Sequence, residues 1–195
     1  DIDAAYRRIT SHPLACAQTI VVDEDRLAHI YLRLTFGGKP NPAFFCEFSE
    51  VTADLSNEVL RCDEWHPTVI SGPLMEHIGE PKREPDNVPF AQAAPMVVDP
   101  QPHDNGSVDV FVDDLISAFI DNVLNLQRVP AVIPLILHLL GRPMAADEPI
   151  SRNDFLSIVK LLAEGTPAEI QTVLGWLLDT RRLLVLLPKD KYIEW

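Results

Sequence analysis

Apolar and polar residues alternate along HIYLRLTF (29–36). Ile30, Leu32, Leu34 and Phe36 fall on one side and Tyr31, Arg33 and Thr35 on the other, which predicts a strand with one buried face. ACAQTIVV (15–22) predicts a preceding strand, with VDEDR as the turn between them. The breaker cluster GGKPNP follows. Beyond it the period changes from two to between three and four: Phe44, Phe45, Phe48, Val51, Leu55 and Val59 predict an amphipathic helix over 42–60. From Pro67 to about Asn105 no period survives. Pro67, Pro73, Pro81, Pro85, Pro89, Pro95, Pro100 and Pro102 exclude long regular structure, so the segment reads as an insertion or extended loop closed by Gly106. VDVFVDDLISAFI (108–120) reads as a hairpin with Asp113 and Asp114 at its tight turn. Residues 121–140 are helical in pattern, with a break or kink expected at Pro130 and Pro134. SRNDFLSIVKLLAEG (151–165) predicts a helix that opens on a Ser151–Asp154 capping box and closes at Gly165. TVLGWLLDTRRLLVLL (172–187) predicts a second hairpin, turning near Asp179–Arg182. No internal repeat occurs. Hairpins mixed with helices point to an α+β fold, with an antiparallel sheet carrying helices on one face.

Composition narrows this picture. Of 195 residues, 47% are hydrophobic and 23% charged, which is the balance of a globular chain. The most apolar stretch, VPAVIPLILHLLG (129–141), is too short to span a bilayer and holds Pro130, Pro134 and His138, so no membrane partner is expected. Cys16, Cys46 and Cys62 are an odd set without CxxC spacing and read as reduced thiols of an intracellular protein, cytoplasmic or nuclear. The six histidines show no helical ligand spacing, which argues against a zinc enzyme. The chain opens at Asp1 inside what reads as a motif, without a start methionine or signal peptide, and so reads as a fragment of a longer polypeptide. A net charge of −13 opposes any nucleic-acid role, since phosphate contacts need Lys and Arg.

Asp113 and Asp114 interrupt an otherwise apolar, β-branched run. They have two readings. Asp is a common turn residue, and the pair can be a solvated turn. Yet a two-residue hairpin favours Asn-Gly or Asp-Gly, so the second carboxylate calls for a use. Near-paired carboxylates can hold Mg²⁺ while leaving positions for phosphates and water. Two such ions stabilise the attacking and leaving oxygens of a phosphoryl displacement, and they need a further carboxylate. The opening DIDAAYRRITSHP offers one.

Here the chain resembles the palm of reverse transcriptases. DIDAAYR, with Asp1, Ala5 and Tyr6, is similar to the first palm motif of that family. LTFGGKPNP (34–42) is similar to the second, with Leu34, Phe36, Gly37 and Pro42 in register. FVDD (111–114) resembles the aromatic-x-Asp-Asp motif. VLGWLLDTRRLLVLLPKDK (173–191) is similar to the Leu-Gly hairpin that follows the palm in retrotransposon enzymes, and Lys160 matches the Lys of the intervening motif. The motifs occur in family order and cover most of the chain.

The resemblance implies an incomplete polymerase palm with a ferredoxin-like core over 1–165, interrupted by the Pro-rich insertion at about 67–105. Residues 166–195 would be the post-palm hairpin and the start of the thumb connection. It implies RNA-directed DNA polymerase activity on a template-primer of RNA or DNA, with dNTP as substrate and Mg²⁺ (or Mn²⁺) as cofactor, within a retrotransposon polyprotein. Asp1, Asp113 and Asp114 would be catalytic and, with the Ile2 carbonyl, would hold the metals. Tyr6, Phe36 and Gly37 would bind the dNTP, with Tyr6 under the sugar. Leu174, Gly175 and Trp176 would support the primer. The absent fingers and thumb would carry the basic surface, which answers part of the −13 charge; EVTADLSNE and GEPKREPDN remain acidic outside any catalytic need.

Each residue also has a plainer reading. Asp3 reads as a surface residue, Tyr6 and Trp176 as core aromatics, Phe36 as the end of a buried strand face, and Lys160 as a snorkelling surface lysine. Two other functions stay open. One is a metal-dependent phosphodiesterase, which lacks a nucleophile-positioning His or Glu cluster and leaves LTFGGKPNP unexplained. The other is a catalytically inactive palm repurposed as a protein-interaction module, which the acidic surface favours.

Overall fold

The structure, a computed structural model, describes residues 2, 5–35, 37–92, 106–141 and 155–193. Within them the chain is a mixture of helices and small antiparallel sheets, an α+β arrangement. The strands do not join one sheet. They form a β1–β2 pair (Ile20–Val22 and Ala28–Ile30), a β3–β4 pair (Ser107–Phe111 and Asp114–Ala118) and a β5–β6–β7 meander (Ile170–Val173, Trp176–Asp179 and Leu184–Leu186). The helices are α1 (Pro13–Cys16), α2 (Asn41–Arg61), α3 (Val123–Leu140), α4 (Ile158–Glu164) and α5 (Lys189–Ile193), with single 3-10 turns at Ala5–Arg8 and Met75–His77.

Helix α2 matches the predicted span, but its buried face is not the expected apolar stripe. Phe45, Ser49, Thr52, Ala53, Ser56 and Leu60 are buried, whereas Phe44, Val51 and Leu55 are exposed. Small residues on the inner face let α3 and β3 approach closely. The three hydroxyls stay satisfied: Ser49 donates to the Phe45 and Cys46 carbonyls, Thr52 to that of Phe48 and Ser56 to that of Thr52. Burying them therefore leaves no donor unpaired.

Helix α3 runs unbroken through Pro130 and Pro134, contrary to the expected break. Each internal proline costs about 3 kcal/mol of helix stability. Val129, Val132, Leu135, Ile136 and Leu137 are all buried on this helix, and each is worth about 1.5–3 kcal/mol. Burial outweighs the broken backbone ladder. By length and composition α3 would be long and apolar enough to cross a membrane, but half of it is buried inside the molecule.

Two core clusters result. One joins Ile2, Ala5, Phe45, Leu74, Leu137 and Leu156, with Tyr6, Phe48, Val112, Leu115 and Phe155 packed against it. The other joins Ala53, Leu60, Val108, Val129, Val132 and Ile136, with Trp65, Val110 and Phe119 alongside. Rings link Tyr6, Phe45, Phe48 and Phe155 at centroid spacings of 5.3, 6.0 and 5.4 Å.

The first predicted hairpin is shorter than its pattern and its expected buried face is open. Residues 13–16 turn helical behind Pro13, and β1 starts only at Ile20. Ile30 and Leu32 are 55% and 68% exposed, and Leu34 is buried. A two-stranded ribbon with no layer packed on it cannot bury either face. Helix α4 starts at Ile158, capped by the Ser157 side chain, because Leu156 is held extended in an antiparallel bridge with Ile2. Its Gly165 C-cap is as predicted; the Ser151–Asp154 box lies outside the described residues. The Pro-rich segment shows no helix or strand beyond Met75–His77 over 67–92. Gly106, at φ +80°, closes it.

Candidate acidic turn and the Leu-Gly hairpin

The acidic hairpin is placed by α2. Asn57 grips the backbone of Val108 from both sides: its Nδ2 donates to the Val108 carbonyl at 2.8 Å and its Oδ1 accepts the Val108 N–H at 2.8 Å. Five strand pairs then run from Ser107↔Ala118 to Phe111↔Asp114. The turn is therefore Val112–Asp113, one residue earlier than predicted. Asp114 is the first residue of β4 and not a turn residue.

This register resolves the poor Asp-Asp turn. The position that must go left-handed is Val112, at φ 59°, and Asp113 is spared it. A β-branched residue is disfavoured there, at a cost of about 1–3 kcal/mol. Val112 is held in that state because it packs, with Leu115, against the Ile2 cluster. Strain held by core packing thus presents Asp113 and Asp114 in succession at the hairpin tip.

Burial pushes the Asp114 carboxyl above its ordinary value, with further upward contributions from the neighbouring charges of Asp113 and Glu164. Glu164, in the last turn of α4, did not emerge from the sequence because nothing in its spacing relates it to FVDD. Carboxylate oxygens are the hard donors that Mg²⁺ or Mn²⁺ takes. Among the described residues no group of three metal-ligating side chains converges.

Asp1 and Phe36, named above as catalytic and dNTP-binding candidates, and Asp3 lie outside the described residues. Ile2 is buried in the core cluster against which Val112 and Leu115 also pack, so the FVDD hairpin and Ile2 share one core cluster. Tyr6 lies in the 3-10 turn, not a strand, with its ring on Phe45. Gly37 has φ +90°, and the space that a Cβ would fill is open.

The Leu-Gly segment forms two hairpins where the sequence pattern predicts one. Val173 pairs with Trp176, so Leu174 and Gly175 are the turn, at φ 49° and 81°. Two left-handed residues in succession match a type I′ turn, which Gly175 suits. The turn expected near Asp179–Arg182 is also present, so β6 is shared by two hairpins. Trp176 is 51% exposed and not core. The Lys191 ammonium reaches the Gly175 carbonyl at 3.5 Å. Lys160 is on the exposed side of α4.

An ion-pair cluster behind this meander was not visible in the sequence. Arg181 is 6% exposed and bonds both oxygens of Glu169, at 2.8 and 2.9 Å. The Arg181 guanidinium holds the Glu169 carboxyl below its ordinary value. Burial alone would raise Asp179, but its bonds from Arg182 outweigh that and leave it lowered. Both arginines read simply as turn residues because nothing in the local pattern sends one of them inward.

Comparison with protein families, with curated proteins and with solved structures gives no match.

Proposed function

We infer that this chain is the catalytic palm of an RNA-directed DNA polymerase, extending a primer 3′-hydroxyl with dNTP. The observation that carries the reading is the FVDD hairpin. Its strained turn offers two adjacent carboxylates while its flanking Val112 and Leu115 pack on the core cluster that contains Ile2, the residue next to the third candidate carboxylate. The open space at Gly37 and the left-handed Leu174–Gly175 turn fall at the remaining motifs of the same resemblance.

Asp113 and Asp114, with Asp1 and the Ile2 carbonyl, would hold Mg²⁺, which when bound neutralises triphosphate charge and acidifies the primer hydroxyl. The protein's own contribution is placement. Asn57 and the core cluster fix the carboxylates so that no reorganisation is needed as charge develops. Tyr6, braced on Phe45, would limit the space beneath the sugar. Gly37 would let the nucleotide approach the backbone, and the Leu174–Gly175–Trp176 turn would support the primer end.

A second reading, an inactive palm serving as an interaction module, is favoured by the exposed apolar residues of β1–β2 and β7 and by the −13 charge. Primer extension by the full-length protein that carries this chain separates the two. On an RNA template with Mg²⁺ and dNTPs, extension is expected, and Asp113→Asn is expected to lower it by at least about a thousandfold. A folded, template-binding parent that does not extend a primer supports the interaction module instead.

A further inference from the structure

We propose that the Pro-rich segment 82–91 is a splint that holds the Leu174–Gly175 turn in fixed relation to the Val112–Asp113 turn, with Arg181 as its central positioning residue. The functional consequence rests on the polymerase reading above; the splint itself rests on the following contacts.

The segment is tied to the meander along its length. Lys82 pairs with Ala168 in a parallel bridge; its N–H donates to the Pro167 carbonyl at 2.8 Å and its carbonyl accepts from Glu169 at 3.1 Å. The Glu84 N–H donates to a Glu169 carboxylate oxygen at 2.6 Å. Arg181 then closes over the chain: Nη1 donates to the Val88 carbonyl at 2.9 Å and Nη2 to that of Glu84 at 3.4 Å. Its guanidinium stacks over the Phe90 ring at 4.3 Å, and its own carbonyl accepts the Ala91 N–H at 2.8 Å. Arg182 adds a bond to the Glu84 carboxylate at 3.2 Å.

The other attachment reaches the acidic hairpin. Arg83 makes a fork of two bonds to Asp121, at 2.6 and 2.8 Å. Asp121 lies three residues beyond the end of β4 and immediately before Asn122, the N-cap of α3. One short segment therefore bridges the C-terminal side of the acidic hairpin to the base of β6, whose far end carries Leu174–Gly175. Among the described residues the strands of the meander pair only with one another. Prolines at 81, 85 and 89 stiffen the link and limit the conformations it can relax into.

Two perturbations test this in the full-length protein. Arg181→Met removes the clamp; Arg83→Asp breaks the exposed fork, and Arg83→Asp/Asp121→Arg rebuilds it with reversed polarity. Hydrogen exchange provides a readout independent of activity. Both single variants are expected to speed amide exchange at Glu84, Ala91 and Glu169 at least about tenfold, with the double exchange restoring protection. In primer extension both are expected to lower kcat about ten- to a hundredfold while dNTP KM stays within about twofold, since the displaced element positions primer and not nucleotide. Unchanged exchange in both single variants overturns the splint. Faster exchange with undiminished kcat overturns its positioning role. Faster exchange, restored by the double variant, in a parent that never extends a primer supports the splint and overturns the polymerase reading.

Discussion

At the residue scale the molecule depends on side chains whose roles differ from what their neighbours suggest. Arg128 sits in the apolar helix α3 and is 2% exposed. Its Nη2 donates to the carbonyls of Leu60 at 3.0 Å, Cys62 at 2.6 Å and, at 3.4 Å, Val59. These oxygens lie at the C-terminal end of α2, where that of Val59 also accepts the Cys62 N–H and that of Cys62 the Trp65 N–H, both at 3.1 Å. A cation there also meets the negative end of the helix dipole. The guanidinium lies 5.6 Å from the Trp65 ring, and its Nε is buried without a hydrogen-bond partner among the described residues. Truncation would remove these bonds together with the packing of a fully buried side chain. Arg128→Ala should therefore destabilise the fold by about 3 kcal/mol, read from urea unfolding. A loss below about 1 kcal/mol would mean that the end of α2 is held by packing alone. Val112 is the converse case: a good strand residue by pattern, held left-handed at the turn by contacts distant in sequence.

At the scale of elements, the same contrast explains what could be read in advance. Element types were largely legible where a period ran long. Helix α2, the β3–β4 hairpin and the Gly165 cap stand as their patterns predict. Registers and faces were not, because they depend on partners far along the chain. The acidic turn moved by one residue when Val112 found a place in the core. Ile30 and Leu32 of the alternating face stayed open because, among the described residues, no element came to cover them. The prolines of α3 were overruled by burial, and Gly72 shows how tightly that burial is arranged. A Cβ at Gly72 would lie 2.6 Å from the Leu135 nitrogen and from the Pro134 carbonyl carbon and oxygen, all of them backbone. No side-chain rotation could relieve it. Gly72→Ala should cost about 1–3 kcal/mol by forcing the Pro-rich segment off α3. Gly79→Ala is the control, since its added methyl meets only the movable Thr166 side chain. Equal unfolding free energies for the two variants would show that the segment does not rest on the helix as described. For the candidate site, the residue types were legible and their assembly was not. FVDD announced its carboxylates; Asn57 and Glu164, which place and oppose it, carry no local signal.

For the whole molecule, charge sets a pH dependence with two limbs. Hydrogen bonds from His29, Arg83 and Arg181 hold the carboxyls of Asp23, Asp121 and Glu169 below their ordinary values, and Asp179 ends lowered through Arg182 despite its burial. A carboxyl lowered by folding stabilises the fold above its unfolded value, 3.8 for Asp or 4.5 for Glu, and that stability is lost as pH falls through the folded value. Stability should thus collapse on the acid side of the ordinary carboxylate range. Asp114 has the opposite sign. Its folded value is raised, so the fold loses stability as pH climbs from 3.8 through that raised value. A net charge of −13 adds self-repulsion that mild acid relieves. The optimum should therefore lie nearer pH 5 than pH 7, at about the lower edge of the usual range. Urea unfolding across pH in low salt measures this directly. Asp114→Asn should lift stability at pH 7 and flatten the alkaline limb, while Glu169→Gln should flatten the acid limb. About 1 M salt should shrink the part due to net charge, because screening then acts within about 3 Å, and should spare the part due to Asp114, whose burial is independent of ionic strength. Mg²⁺ at millimolar level should stabilise the parent at pH 7 and have no such effect on Asp114→Asn. Equal stabilisation of the two would mean that the cation screens the acidic surface and does not sit at the turn.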